Sequence, residues 1–148
     1  MRELARCFSA LADPTRLEML ALLLHHGELC VCDFVRTLGI TQSKASRDLR
    51  SLWNVRLVED RRAGLWVHYR IAPGLDAERK AIVAAADRIF RARDMEDLFG
   101  RLDRWLTKKG QTVPAREVAA RRSGAPRART PQAARRVGRG HAHLATKG

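Results

Sequence analysis

Two helix-forming segments meet across the dipeptide Gly39-Ile40, and a β-prone hairpin follows directly behind them. Few small folds accept that order. Glu28 to Leu38 offers Leu29, Phe34, Val35 and Leu38 to a core, and Gly39 is suited to end the helix. Thr41 can cap the next helix, whose buried face is Ala45, Leu49 and Leu52. Its other face carries Gln42, Ser43, Lys44, Ser46, Arg47 and Arg50. Short hydrogen-bonding side chains with cations are what a helix uses to read base edges and grip phosphates in a major groove, although a solvated polar face has the same composition. The hairpin decides between them: Leu57 to Arg61 and Leu65 to Ile71 are β-prone and flank Arg62-Ala63-Gly64, a basic tip. Helix, short turn, helix and hairpin predict a mainly α chain with a small β-hairpin, a winged helix-turn-helix, with Arg61 and Arg62 near the DNA backbone or minor groove.

The flanking segments complete a helical domain. Leu4, Cys7, Phe8 and Leu11 fall at helical spacing within Glu3 to Leu11, and Asp13-Pro14 is a cap followed by a first-turn proline. A second helix is expected from Pro14 to His25 or His26, with Gly27 as terminator. From Asp76 to Leu106 an alanine-rich helical pattern, with a break near Arg93-Asp94, carries a stripe through Met95, Leu98, Phe99, Leu102 and Leu106. In so small a domain that stripe is expected to meet the first helix of a second subunit.

Charge divides the chain. The whole carries a formal +13, of which residues 1–106 hold +3 and residues 107–148 hold +10. The second segment is rich in Pro, Ala, Arg and Gly and poor in large apolar residues, so it reads as a disordered basic tail behind a domain at residues 1–106. A polyanion is the natural partner, and no apolar run approaches a membrane span or a signal peptide core, so the expected compartment is cytoplasmic.

Three cysteines, Cys7, Cys30 and Cys32, are an odd number that argues against a disulfide framework. If Glu28 to Leu38 is all helix, Cys30 and Cys32 point about 200° apart, and one soft cation binds both thiolates only if the backbone between them loosens. Thiol oxidation is an open alternative, as is a cadmium, lead or zinc site. An enzyme, such as a thiol-dependent reductase, is disfavoured because no Cys-x-x-Cys or phosphate loop is present.

Four stretches together resemble the ArsR/SmtB family of metal-responsive repressors, and within it the arsenic-responsive members: Leu11-Ala12-Asp13-Pro14-Thr15-Arg16-Leu17, Gly27-Glu28-Leu29-Cys30-Val31-Cys32-Asp33, Gln42-Ser43-Lys44-Ala45-Ser46 and Gly64-Leu65-Trp66-Val67-His68-Tyr69-Arg70. The resemblance implies a homodimer that occupies double-stranded operator DNA and leaves it when arsenite or antimonite binds. It places Cys30 and Cys32 as metalloid ligands, Gln42, Ser43 and Ser46 on the recognition helix, and Arg61, Arg62 and Gly64 on the wing. It also implies a third cysteine where this chain has Val35, which leaves Cys7, on the first helix of the same or the opposite subunit, as the candidate third metalloid ligand. Asp48 stands where the family usually has histidine, with Lys44 as its expected partner, and Arg56 stands where a glycine is usual, with Asn54 as a left-handed alternative. No histidine lies in residues 76–106 to build the family's zinc site, and His141 and His143 read as solvated.

Overall fold

The computed structural model describes residues 1–110. The described chain runs α1 (Arg2–Leu11), α2 (Pro14–His26), β1 (Glu28–Cys30), α3 (Val31–Leu38), α4 (Gln42–Asn54), β2 (Val58–Ala63), β3 (Trp66–Ile71), α5 (Ala77–Ala92) and α6 (Glu96–Lys109). The helix ends follow the local chemistry. Asp13, Thr41 and Asp76 each accept a backbone N–H three residues on, from Arg16, Lys44 and Arg79. α2 lies at the centre, with Met19, Leu20, Leu22 and Leu23 buried among Leu29, Phe34, Leu49, Leu52, Leu57, Leu102 and Leu106.

Four local expectations are corrected. The third helix begins at Val31, because Glu28–Cys30 is an extended strand that pairs antiparallel with β3, placing Glu28 opposite Arg70 and Cys30 opposite His68. The small hairpin is therefore part of a three-stranded sheet of order β1-β3-β2. Arg62 and Ala63 continue β2, so only Gly64-Leu65 forms the turn. Leu98, Leu102 and Leu106 pack within the chain, where α6 lies against α2 and α3, rather than awaiting a second subunit. Phe8 on α1 and Ile89 on α5 stay exposed. Residues 107–109 complete α6, and the rest of the proposed tail, residues 111–148, lies outside the described residues.

The fourth correction concerns the turn into the hairpin. Asn54 stays helical, and Arg56 takes the left-handed conformation at φ 58°. Its N–H reaches the Trp53 carbonyl at 2.8 Å and that of Leu57 reaches Leu52 at 3.1 Å, the two-bond close of a helix normally given to glycine. Left-handed backbone costs a side-chain-bearing residue roughly 1–2 kcal/mol, partly offset by glycine's extra freedom when unfolded. Arg56→Gly is expected to raise stability by about 0.5–1 kcal/mol in chemical denaturation. A lower midpoint would show that Arg56 makes contacts worth more than the strain.

Candidate thiol site and nucleic-acid interface

Cys30 is the last residue of β1 and the residue before the first turn of α3, so its backbone is extended while that of Cys32 is helical. That change of conformation removes the opposed geometry expected of two helical cysteines. The expectation of free thiols at this pair is corrected: the Cα atoms are 5.4 Å apart and the sulfurs are joined as a disulfide, at a span ordinary for such a bond, while Cys7 stays free. Asp33, buried at 1% exposure, fixes the junction. Its Oδ2 accepts the Cys30 N–H at 2.8 Å, closing the start of α3. Its Oδ1 accepts from Trp105 Nε1 at 2.8 Å and Lys109 Nζ at 3.0 Å.

Both sulfurs and a carboxylate oxygen of Asp33 lie within 4.8 Å of one another, a donor set that could hold one ion once the disulfide is reduced. Two sulfurs suit a soft ion, and the carboxylate adds negative charge without adding softness. Cys7 is not brought to this group within the chain. It lies in the core at 1% exposure, with its thiol directed at the Val55 carbonyl at 3.8 Å. Sequence reasoning missed Trp105, Lys109 and the role of Asp33. An acidic residue three positions after Cys30 is a capping signal, disguised because cysteine is not a usual cap. The contacts from α6 span more than 70 residues and have no local signature.

The site adjoins the face expected to meet nucleic acid. Gln42, Ser43, Ser46, Arg47 and Arg50 are exposed on α4, and Thr41 is exposed at its cap. Asp48 turns inward instead of facing that surface. It receives Lys44 Nζ at 2.9 Å and Arg16 at 3.3 Å, so Lys44 is partly engaged within the chain. Arg62 is exposed on β2, and Gly64 forms the tip at φ 62°. Arg61 is tied back to β1, donating to Glu28 at 2.6 Å. That hydrogen bond, ahead of the added pull of the Arg61, His68 and Arg70 charges, keeps the Glu28 carboxyl below its ordinary value, against the smaller opposing effect of burial.

A depressed carboxyl contributes stability that is present above the unfolded value and lost as pH falls through the folded one. The Glu28–Arg61 link should therefore be complete above about pH 5 and fade on further acidification. Arg61→Ala is expected to move the Glu28 carboxyl titration, followed by NMR, upward towards the ordinary glutamate value of 4.5. An unmoved titration would mean that Arg61 does not control it.

The chain is similar to known bacterial regulators. Residues 13–60 match the model of the "Bacterial regulatory protein, arsR family". The chain is 46% identical over 79 residues to the arsenical resistance operon repressor of Escherichia coli, covering 53% of this chain and 68% of that protein. It is 43% identical over 82 residues to an arsenic resistance transcriptional regulator of Pseudomonas putida, covering 53% and 64% respectively. A cadmium resistance regulatory protein homologue of Staphylococcus aureus is 36% identical over 69 residues, covering 47% and 57%. Among solved structures, a homodimeric winged helix-turn-helix DNA-binding domain from Mycobacterium bovis shares 33% identity with a TM-score of 0.51, over 60% of this chain and 78% of that one. The transcriptional repressor BigR of Xylella fastidiosa shares 30% with a TM-score of 0.53, over 63% and 88%. No described helix is long and apolar enough to cross a membrane. With its helix pair, hairpin and Cys-Val-Cys-Asp junction on one winged helix-turn-helix frame, the chain belongs to the ArsR family of bacterial regulatory proteins.

Proposed function

We propose that the protein is a homodimeric transcriptional repressor that binds operator DNA through α4 and the β2–β3 hairpin and is released when trivalent arsenic or antimony binds the reduced thiolates of Cys30 and Cys32. The observation that carries this reading is the convergence of the two sulfurs beside Asp33, at the junction of β1 and α3. The names of the Escherichia coli and Pseudomonas putida relatives support arsenic as the inducer. Arsenite would be held by Cys30 and Cys32, and it supplies a soft acceptor for their sulfurs.

Two routes lead from that junction to the DNA face. Cys30 sits in the β1–β3 ladder, and Glu28 two residues earlier carries Arg61 of the hairpin. On the other side α3 reaches α4 across Gly39-Ile40. A shift at the junction is thus felt by both groove-facing elements, and an inducer acts to the extent that it binds the shifted state more tightly. The test is operator binding by reduced full-length protein with and without arsenite. Release by arsenite is expected; retention at saturating arsenite would overturn the reading.

The joined sulfurs favour a second reading, in which oxidation of the same pair drives release. Release by peroxide, reversed by reductant and not produced by arsenite, would establish it. Cadmium, the metal named for the Staphylococcus aureus relative, is separated from arsenic by competition titration. Residues 111–148, with nine Lys and Arg against one Glu, are proposed to add affinity without sequence preference. Ending the chain after Gly110 is then expected to flatten the log-log salt dependence of binding by about 0.9 for each phosphate that the shortened chain leaves unneutralised. An unchanged slope would assign that segment another role.

A further inference from the structure

One cation already occupies the mouth of the thiol site. Lys109 Nζ stands 3.3 Å from Cys30 Sγ, 3.5 Å from Cys32 Sγ and 3.0 Å from Asp33 Oδ1, so a single ammonium caps every member of the cluster. It comes from the last turn of α6, one residue before the left-handed Gly110 that closes the helix. Four residues earlier on the same face, Trp105 donates to the same Asp33 oxygen at 2.8 Å and lies under the Arg36 guanidinium at 5.6 Å. Lys109 also lies 5.9 Å from the ring centre of Trp66 at the start of β3. The last turn of α6 is therefore fastened to the sensing junction and to the hairpin by one pair of side chains.

Building on the proposed metalloid-binding role, we propose that Lys109 is a built-in stand-in for the inducer, so that filling the site with trivalent arsenic expels its ammonium and unlatches the last turn of α6 from α3. Arsenite condenses with two thiols, forming two As–S bonds and releasing two waters, and the ammonium at 3.0–3.5 Å lies across the approach to both sulfurs, so arsenic takes both its space and its sulfur acceptors. An external dithiol reduces the Cys30–Cys32 bond and leaves as its own disulfide; the β1–β3 ladder and the Asp33 cap do not depend on that bond, so the ammonium would then face two thiols on the same backbone frame. Lys109 and Trp105 are positioning residues here: they couple occupancy of the site to α6.

Hydrogen exchange of reduced full-length protein, read by mass spectrometry, tests the latch with arsenite as the probe. Arsenite is expected to speed exchange at residues 105–110 about tenfold while α5 is unchanged. Lys109→Met should show that faster exchange without arsenite and gain little more with it. Trp105→Phe, which keeps an aromatic ring and loses the donated bond, should show a smaller part of the same effect. Arsenite uptake with exchange at residues 105–110 unchanged in the parent would overturn the latch alone, and so would a rise spread equally over α5. Parent protein that takes up no arsenite, followed by mass, would overturn the functional reading and the latch together. The parent comparison stands even if a variant folds poorly.

Discussion

Full-length protein carrying Cys30→Ser or Cys32→Ser is expected to remain on its operator at arsenite concentrations that release the parent, with the half-release concentration raised by about a hundredfold or more. Loss of an outer-shell partner alone typically weakens a metal site 10–100-fold, and serine replaces a soft donor by a hard hydroxyl in the inner shell. Neither cysteine lies on α4 or the hairpin, so operator affinity without arsenite should change little. Release of either variant at the parent's concentration would remove the pair from the sensing role. Cys7→Ser separates the remaining thiol. Because Cys7 is buried against Val55 and not assembled with the pair in one chain, X-ray absorption of the arsenite complex is expected to count the same sulfur neighbours in parent and Cys7→Ser protein. One sulfur fewer in the variant would draw Cys7 into the site.

The largest expected effect on stability belongs to Asp33→Ala. The carboxylate is 1% exposed and answers three donors at once: the Cys30 N–H, the Trp105 indole and the Lys109 ammonium. Truncation leaves all three short of a partner, one of them charged, and opens the start of α3. Removing one member of a buried charged pair typically costs about 3–5 kcal/mol, against a total stability of about 5–15 kcal/mol for a domain. With a urea dependence of about 1–3 kcal/mol per molar, the unfolding midpoint should fall by more than about 1 M. Asp33→Asn keeps an acceptor but not the charge, and should lose roughly 1–3 kcal/mol. A loss below about 1 kcal/mol for Asp33→Ala would mean that α6 is seated by its leucines alone.

The two substitutions probe different aspects of one junction. Serine at position 30 or 32 leaves the Asp33 contacts to the Cys30 backbone, Trp105 and Lys109 in place, so it removes sulfur chemistry while retaining the fold. Alanine at position 33 does the reverse, leaving both sulfurs on a frame without its cap. Comparing arsenite uptake in the two sets separates ligand chemistry from the scaffold that presents it.

Much of this architecture was readable one segment at a time, because caps, terminators and apolar spacing act within a turn or two of chain. Asp13-Pro14 and Thr41 start α2 and α4, and Gly27 and Gly39 end α2 and α3. The exposed polar face of α4 and the inward pairing of Asp48 with Lys44 follow from the same local rules, with Arg16 added from a distant helix. Where two local signals compete, the sequence alone is a poorer guide. Glu28–Cys30 carries residues a helix would accept, but an available edge on β3 draws it into the sheet. At Arg56 the hydrogen-bonded close of α4 overrides the side chain's aversion to positive φ.

The Cys-Val-Cys-Asp run by itself determined which donor atoms the chain has for a soft ion, since ligand chemistry belongs to residue type. Only the tertiary structure decided that those sulfurs converge, because convergence depends on Cys30 ending a strand while Cys32 lies in the first turn of a helix. Only it could bring Lys109 and Trp105 to them, since α6 reaches the junction by packing its leucines against α2 and α3, and no local pattern encodes a contact made 76 residues away.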